Sequence, residues 1–365
     1  HLCFIAPNKF MRASYGKNTR QLLAKEVTPR QIIDFGDLPI FDATTYPSII
    51  MVEKRTPDTN DLVNAATFTD MSQIEKPEET LKEIGFALSL GALKAEGWTL
   101  VRLEVLALMD KLRKAGKPLG EYVNGRFYRG ILTGLNEAFV IDDDTRKKLI
   151  AEDPKSAELI NPWLRGRDIK KWKAEWAGLS ILYIPWHFDI NKYPAVLNHL
   201  KQFKNKLENR NESERDRYEW YALQRYAADY FKEFDKPKII YPNITKTNVF
   251  SFDETGILTN QKCFIIPTDD LYLLALLNSQ LTMQWFRSTL PLLRGGFYEP
   301  SSVFMENYPV YPANDAQKAP IILRVQKILA APDSSNVPKL EAEIDQMVYK
   351  LYGLPESEIK IVEGK

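Results

Sequence analysis

The first 55 residues constrain the fold most, because strand and helix patterns alternate there within a short stretch. Apolar runs at 2–6, 31–35 and 48–52 predict three strands, and Ser14 can begin a helix that ends at about Glu26. This succession is typical of the edge of an α/β sheet. A complete doubly wound nucleotide-binding fold needs a glycine-rich turn, and G-x-G-x-x-G does not occur in the sequence. The sequence therefore predicts the later strands of such a sheet rather than a whole domain.

The composition is that of a folded protein with roughly two or three domains. The chain has 365 residues, of which 44% are hydrophobic and 12% aromatic, and this is enough for buried cores. The formal net charge is only +1. Any surface that binds nucleic acid must therefore be a local patch.

Cysteine and histidine positions argue against a disulfide framework and against a zinc site. Cys3 and Cys263 lie far apart in separate apolar runs, which predicts buried thiols in a reducing, cytoplasmic compartment. The three histidines do not cluster with them, so we expect no metal. No apolar run approaches the roughly 20 residues of a membrane span, so we expect no membrane partner. Nucleophile–base pairs, paired carboxylates and phosphate loops likewise fail to assemble, so we expect no catalytic residues in this chain.

The chain divides into four predicted segments. The sheet edge occupies 1–56, and 57–96 is polar and weakly patterned, which indicates a connector. Residues 97–312 mix strand and helix patterns, which predicts an α+β domain. Residues 313–365 predict two helices, at about 316–331 and 336–352, joined as a helical hairpin.

Three local patterns within 97–312 lead to further expectations. Residues 125–142 predict a hairpin with a tight loop. Residues 193–234 are charged and aromatic, with alternating charge signs that indicate solvated helix faces. Residues 271–281 predict a strongly apolar helix that can continue past Trp285.

The stretch from Asn161 to Lys173 carries most of the local positive charge. Its thirteen residues hold two tryptophans, Trp163 and Trp172, one acid, Asp168, and the cations Arg165, Arg167, Lys170, Lys171 and Lys173. Arginine suits phosphates and guanine edges, and lysine suits phosphates. The alternatives, equally open from charge alone, are a solvated basic turn and an internal ion pair with Asp168. We expect both tryptophans to pack rather than to stack on bases.

Several motifs resemble a known family. Residues 4–10, 15–17, 34–37 and 41–47 resemble the later half of an adenine-specific DNA methyltransferase domain, after its catalytic Asn-Pro-Pro-aromatic motif. Residues from about 119 to 312 resemble the TaqI-like target-recognition region of type IIG restriction–modification enzymes. That resemblance rests on the motifs at 129–139, 164–172, 236–244, 273–279 and 294–296. The tail, 343–354, also resembles this family.

The resemblance implies α/β plus α+β structure: a truncated, C-terminal edge of a Rossmann-like methyltransferase sheet, a mixed α+β target-recognition domain and the helical hairpin. It implies that a longer, prokaryotic parent protein transfers a methyl group from S-adenosylmethionine to adenine N6 in double-stranded DNA. The glycine-rich cofactor motif and the Asn-Pro-Pro-aromatic motif are missing here. We therefore expect this fragment to bind DNA without catalysis and to bind no S-adenosylmethionine. We expect an upstream methyltransferase domain, with or without a nuclease.

The resemblance also suggests site residues. Phe41 is the candidate for packing on a flipped adenine, with Tyr46 as the second choice; the alternative is a core phenylalanine. The candidates for DNA contact are Arg165, Arg167, Lys170, Lys171, Arg294, Asn243, Lys246, Asn248, Thr133 and Asn136. Asparagine suits adenine edges. For Thr133 and Asn136 a plain turn is an equally good interpretation. For Arg294 the alternative is a turn that ends a helix.

Two other functions stay open at the level of sequence. One is a DNA-specificity subunit without a methyltransferase partner, in which 193–234 and 316–352 act as spacers. The other is a protein-interaction module whose basic stretch is incidental.

Overall fold

The computed structural model describes residues 1–364 except residues 12, 37, 43, 44, 59, 96, 99, 211–216, 291 and 294. The chain forms two compact units. The first contains His1–Lys114, Gln284–Glu299 and Pro355–Lys365, and the second contains Ala115–Met283 and Pro300–Leu354. These bounds differ from the predicted segments, because two late pieces of the chain belong to the first unit.

Strands form one sheet in the first unit, two in the second, and two short pairs. The strands are β1 Leu2–Pro7, β2 Thr28–Asp34, β3 Pro47–Glu53, β4 Leu62–Thr67, β5 Phe86–Ser89, β6 Lys117–Pro118, β7 Tyr128–Arg129, β8 Val140–Ile141, β9 Ile160–Leu164, β10 Ser180–Leu182, β11 Lys238–Pro242, β12 Ser251–Asp253, β13 Leu258–Thr259, β14 Cys263–Pro267, β15 Leu292–Leu293, β16 Phe297–Tyr298 and β17 Pro309–Val310.

Helices are short except for α4 and the two long helices near the end of the chain. The helices are α1 Lys17–Lys25, α2 Ser72–Glu75, α3 Pro77–Ile84, α4 Leu103–Ala115, α5 Leu119–Tyr122, α6 Asn136–Phe139, α7 Asp143–Glu152, α8 Pro194–Lys201, α9 Lys204–Glu208, α10 Leu271–Asn278, α11 Gln280–Thr289, α12 Ser302–Met305, α13 Asp315–Ala330, α14 Val337–Leu351 and α15 Glu356–Glu363.

The sheet of the first unit has the strand order β1-β3-β2-β4-β5. Strands β2 and β4 are parallel and the other neighbours are antiparallel. Ile32 and Ile33 are consecutive in β2 and lie in two different core clusters, as the alternation of side chains along a strand requires. Helix α1 contributes Leu23 to one cluster, and α3 packs Leu81 against the other. The sheet is therefore covered on both faces, as in other α/β folds.

The segment 57–96 differs from the connector predicted from its polar composition. Strand β4 pairs with β2, and β5 pairs with β4, so both belong to the sheet. Strand β4 lacks a strict alternation of apolar and polar residues, with the sequence LVNAAT, and its backbone hydrogen bonds are made with the neighbouring strands β2 and β5. The strand conformation of this segment depends on pairing with β2, which is distant in sequence, so the local sequence pattern does not reveal it.

The second unit contains two four-stranded sheets that share one hydrophobic core. Their strand orders are β13-β9-β10-β8 and β12-β11-β14-β7. The core combines Trp163 and Ile181 of the first sheet with Ile240 and Ile265 of the second. The mixed α and β structure with open sheets agrees with the predicted class.

The hairpin predicted over residues 125–142 does not form. Strand β7 pairs with β14 and β8 pairs with β10, so the two strands lie in different sheets. The turn-like residues between them instead lead into helix α6. Strand patterns alone do not specify the partner, and here both partners are distant in sequence.

The helices predicted over residues 193–234 form only in the first part of this segment. Only α8 and α9 occur among the residues described there, and the aromatic side chains that follow pack against the core of the second unit. The aromatic content, rather than the charge alternation, decided the outcome. The packing members are Trp220, Tyr221, Tyr226, Tyr230 and Phe231.

The helices predicted near the end of the chain are present as α13 and α14. Asn314 caps α13: its Oδ1 accepts a hydrogen bond from the Gln317 backbone N–H at 3.0 Å, and its own backbone N–H donates to Gln317 Oε1 at 3.0 Å. Arg324 of α13 donates to Glu343 of α14 at 2.6 Å. The apolar helix predicted from 271 ends at Asn278, and α11 begins after Ser279, whose backbone is extended.

Candidate nucleic-acid interface

The basic stretch begins where β9 ends, and its first arginine is used internally. A 3-10 turn, Gly166–Asp168, follows Arg165. The Arg165 guanidinium donates to both carboxylate oxygens of Asp168, at 2.9 and 2.8 Å, and the Arg165 backbone N–H donates at 2.8 Å. Burial raises the pKa of the Asp168 carboxyl, but these hydrogen bonds outweigh it and hold the pKa below its ordinary value. Arg165 therefore fixes the turn, which is the alternative that the sequence left open.

Two further members of the basic stretch are tied to helix α14. Lys171 Nζ lies 2.8 Å from a carboxylate oxygen of Glu341, and Trp172 Nε1 donates to the same oxygen at 2.6 Å. Trp163 and Trp172 are both buried, so both pack rather than offer a stacking face. Lys170 lies 3.8 Å from Glu175. Arg165, Lys170 and Lys171 each have an acidic neighbour, so the basic stretch offers less positive charge to a ligand than its sequence suggested.

Arg167 is different, because its side chain points into solvent. It is exposed, and across the described part of the chain its guanidinium has no ion pair or hydrogen bond to an acid. Its positive charge helps to lower the pKa of the Asp168 carboxyl without an ion pair between the two side chains. Arg167 is therefore available to an external anion.

The ends of four strands bring separate loops beside Arg167. Strands β9 and β13 run parallel, so Arg165 and Asn260 follow them at the same edge, and the Asn260 N–H donates to the Leu164 carbonyl at 3.1 Å. Strand β11 is antiparallel to β14, and beyond their last pair the Asn243 N–H donates to the Lys262 carbonyl at 2.7 Å. We call the loops that meet here the strand-end surface: residues 129–132, 166–168, 243–248 and 260–262.

The strand-end surface carries exposed cations that sequence patterns only partly indicated. Arg129, Arg167, Lys246 and Lys262 are exposed. Sequence reasoning singled out Arg167 and Lys246 but missed Arg129 and Lys262. The signal for Lys262 was a polar triplet, Asn260-Gln261-Lys262, between two apolar strands, which is typical of a tight turn.

The asparagines expected to read bases are mostly occupied by the protein itself. The Asn248 amide is buried and donates to the carbonyls of Leu277 and Ser279, at 2.9 and 2.8 Å. This does not fit a base-reading role and makes Asn248 a link to the end of α10. Asn243 is also buried, with its backbone in the strand pairing. Lys246 between them is exposed.

Thr133 and Asn136 form the local turn that the sequence left as an alternative. The Thr133 hydroxyl donates to Asn136 Oδ1 at 2.7 Å, and Thr133 is buried. Arg210 donates to the Thr133 carbonyl at 2.9 Å. Asn136 begins α6 and is exposed. The pair therefore shapes the chain next to residues 129–132.

Gly130 sets the close approach of two loops on this surface. A Cβ at Gly130 would lie 2.1 Å from the Asn260 carbonyl oxygen and 2.4 Å from that of Thr259. We expect Gly130→Ala to displace the 260–262 turn and to lower the free energy of unfolding by at least about 1–3 kcal/mol, as overpacking does. Urea denaturation followed by circular dichroism measures this.

The matched control is Gly166→Ala on the same surface. There a Cβ would lie 3.7 Å from the Lys262 carbonyl oxygen, which is an ordinary contact. We expect this variant to stay within about 0.5 kcal/mol of the unchanged protein. Equal stability of the two variants would contradict the close approach at Gly130.

In the first unit, an anchored loop presents Phe41. Residues between β2 and β3 are held at their base, where the Phe35 N–H donates to the Pro47 carbonyl at 3.1 Å. The Asn8 N–H donates to the Tyr46 carbonyl at 2.7 Å. Phe41 is 46% exposed, so it is not the core phenylalanine that was the alternative. Tyr46 is half-buried near the base of the loop.

Arg294 lies outside the described residues. The strands around it, β15 and β16, pair as a hairpin in the first unit. Gly295 and Gly296 have φ angles of +81° and +75°, a conformation that favours glycine.

The described residues offer neither a cluster of metal ligands nor a membrane-spanning helix. No group of three or more His, Cys, Asp or Glu side chains is arranged there to hold a metal ion. None of the helices described combines the length and apolar content needed to cross a bilayer.

Two known families match separate parts of the chain. Residues 161–310 match the TaqI-like C-terminal specificity domain. Residues 1–41 match the Eco57I restriction-modification methylase. Residues 161–310 are thus similar to a TaqI-like specificity domain. The resemblance inferred from the sequence motifs is thereby confirmed, and most of the strand-end surface lies within the matched specificity domain.

Individual relatives point the same way. The chain is 22% identical over its whole length to the type II methyltransferase M.PaeR7I of Pseudomonas aeruginosa, of which it covers 63%. It is 28% identical, over 60% of its length, to the type II methyltransferase M.MjaIV of Methanocaldococcus jannaschii, of which it covers 76%. The chain thus spans less than two thirds of the first of these relatives.

A solved structure shares the fold. The Type IIL restriction-modification enzyme MmeI, solved in complex with DNA, superposes with a TM-score of 0.62 at 14% identity. The match covers 99% of this chain and 48% of MmeI. At this identity the likeness shows the fold alone.

Proposed function

We propose that this chain is the sequence-specific DNA-recognition segment of a restriction–modification methyltransferase. The observation that carries the proposal is the strand-end surface, which concentrates exposed cations largely within the TaqI-like specificity domain of a chain with a net charge of only +1. Phosphate contacts from such cations supply affinity and register, while neighbouring polar groups read base edges.

The proposed surface is narrower than the basic stretch in the sequence. Arg165 and Lys171 form ion pairs with Asp168 and Glu341, so we assign them a structural role rather than a contact with DNA. Arg167 and Lys246 remain candidates for direct contact. Thr133, Asn136 and Asn243 act as supports for the loops that make contact, and Asn248 anchors one of them from the interior.

A salt titration with duplex DNA tests the proposal. If two to four phosphates are neutralised, the logarithm of the association constant should fall with the logarithm of salt concentration at a slope of roughly −2 to −4. Fluorescence anisotropy with a labelled duplex of mixed sequence measures this slope. Absence of binding at low salt would overturn the proposal.

The complete parent protein would transfer a methyl group from S-adenosylmethionine to adenine N6. The match of residues 1–41 to a restriction-modification methylase supports this assignment. Sequence-related methyltransferases in a bacterium and an archaeon support the cytoplasm of a prokaryote as the place of action. The cofactor would be held mainly by parts of the parent outside this chain, because no glycine-rich cofactor motif occurs here.

Strand β1 supports an attachment of the upstream methyltransferase domain to the first unit. Among the described residues it pairs with β3 alone, and three of its apolar side chains, Leu2, Phe4 and Ile5, are 57%, 38% and 47% exposed. An exposed apolar edge strand is a site for further pairing. We assign that edge to the upstream strands of the parent sheet.

Phe41 is the proposed platform for the flipped adenine. Enzymes that modify a base rotate it out of the stack and hold it against aromatic side chains. The exposed ring of Phe41, on a loop whose base is held by backbone hydrogen bonds, can provide such a face.

A further inference from the structure

The strand-end surface contains a lysine that neither the sequence motifs nor the family match singled out. We propose that Lys262 binds the DNA phosphate backbone together with Arg167, as a paired phosphate site. The inference rests on the proposed DNA-recognition function and assigns two residues to its backbone contact.

The turn that carries Lys262 is held firmly by backbone hydrogen bonds. The Lys262 N–H donates to Asn260 Oδ1 at 3.0 Å, and its carbonyl accepts from the Asn243 N–H at 2.7 Å. The Gln261 N–H donates to the Ile131 carbonyl at 2.9 Å. All of these bonds use the backbone of Lys262 or its neighbours. The Lys262 side chain has no structural task in them.

Arg167 stands directly beside this turn. A Cβ added to Gly166 would lie 3.7 Å from the Lys262 carbonyl oxygen, so the backbone before Arg167 lies close to the backbone of Lys262. Two exposed cationic side chains therefore start from adjacent points on a rigid surface. An arginine fork and a lysine point charge together suit phosphate oxygens.

Ion pairing distinguishes Arg167 and Lys262 from Arg165, Lys170 and Lys171. Arg165 pairs with Asp168, Lys171 with Glu341, and Lys170 approaches Glu175. Within the ranges that the structure describes, Arg167 and Lys262 have no acidic partner. An exposed cation that holds no carboxylate in an ion pair can meet an approaching anion directly, whereas a paired one must first release its carboxylate.

The test compares salt slopes of the whole chain with a labelled duplex between roughly 50 and 200 mM salt. We expect Lys262→Ala and Arg167→Ala each to make the slope less negative by about 1, and the double variant by about 2. Lys262→Arg should keep the slope of the unchanged protein. Thermal melting checks that each variant folds, which the exposed positions favour.

Lys201→Ala is the matched control, because it removes one exposed lysine charge from α8, outside the strand-end surface. We expect its slope to equal that of the unchanged protein. If the unchanged protein binds DNA and Lys262→Ala keeps its slope, the paired phosphate site is overturned while DNA recognition stands. If the unchanged protein shows no binding at low salt, both are overturned.

Discussion

Replacing Asp253 with alanine is expected to lower the free energy of unfolding of the second unit by about 3–5 kcal/mol, because it leaves a buried lysine without its partner. Lys238 is fully buried in β11 and its Nζ lies 2.5 Å from Asp253 Oδ2 in β12. The same Nζ donates to the Phe234 carbonyl at 2.6 Å. Removal of the carboxylate therefore leaves the buried Lys238 ammonium without an opposite charge. Urea denaturation followed by tryptophan fluorescence measures the loss.

The control is the double replacement of Lys238 with methionine and Asp253 with leucine, which removes both charges. Buried ion pairs replaced by apolar side chains are often nearly neutral in stability, so we expect most of the loss to be recovered. The deficit of Asp253→Ala should also shrink as pH rises toward 10.5. Burial lowers the pKa of Lys238 in the folded state, and Asp253 counteracts this effect, so removal of Asp253 lowers that pKa further. In the variant the unfolded state therefore binds more protons than the folded state over a wider pH range, and its stability rises more with pH than that of the unchanged protein. A loss below about 1 kcal/mol would contradict a charged, buried pair.

Replacing Phe41 with alanine in the complete parent methyltransferase is expected to slow DNA methylation by roughly 5- to 150-fold. Stacking of a base on an aromatic side chain is worth about 1–3 kcal/mol, and each 1.36 kcal/mol is a factor of ten. Stability should change little, because the ring is 46% exposed. Incorporation of labelled methyl groups under single-turnover conditions measures the rate.

Two further variants separate stacking from general damage to the first unit. Phe41→Tyr keeps a ring and should keep most of the rate. Leu22→Ala removes another exposed apolar side chain, on α1 of the same unit, and should leave the rate unchanged. A rate for Phe41→Ala equal to that of the unchanged enzyme would assign the flipped base to another residue, with Tyr46 the next candidate.

Local patterns were enough for elements whose own side chains decide their structure. Strands β1, β2 and β3 and helices α13 and α14 form close to where apolar runs and helical spacing predicted them. In each case one face or run of apolar residues must be buried, and only one periodicity achieves this. The ordered motifs also carried the resemblance to the specificity domain, which the comparisons confirmed.

Elements that depend on a partner distant in the chain could not be predicted from local sequence patterns. Strand β4 is recruited by β2, and β7 pairs with β14 more than a hundred residues later. The aromatic side chains between 218 and 231 join the core despite the charges around them. Burial of the large rings stabilises the fold. It removes little hydration from the intervening charged groups, because their long side chains can still reach water.

At the candidate site, the sequence likewise could not show which basic residues are held in ion pairs and which are exposed to a ligand. The sequence by itself determined that residues 161–173 are cationic and that they belong to a recognition domain. Only the tertiary structure decided which cations are free to act, because the acids that hold them come from three residues away, in Asp168, and from helix α14, in Glu341. The same strand ends brought Lys262 beside Arg167. Charge is a property of residue type, but availability to a ligand depends on the neighbours that folding provides.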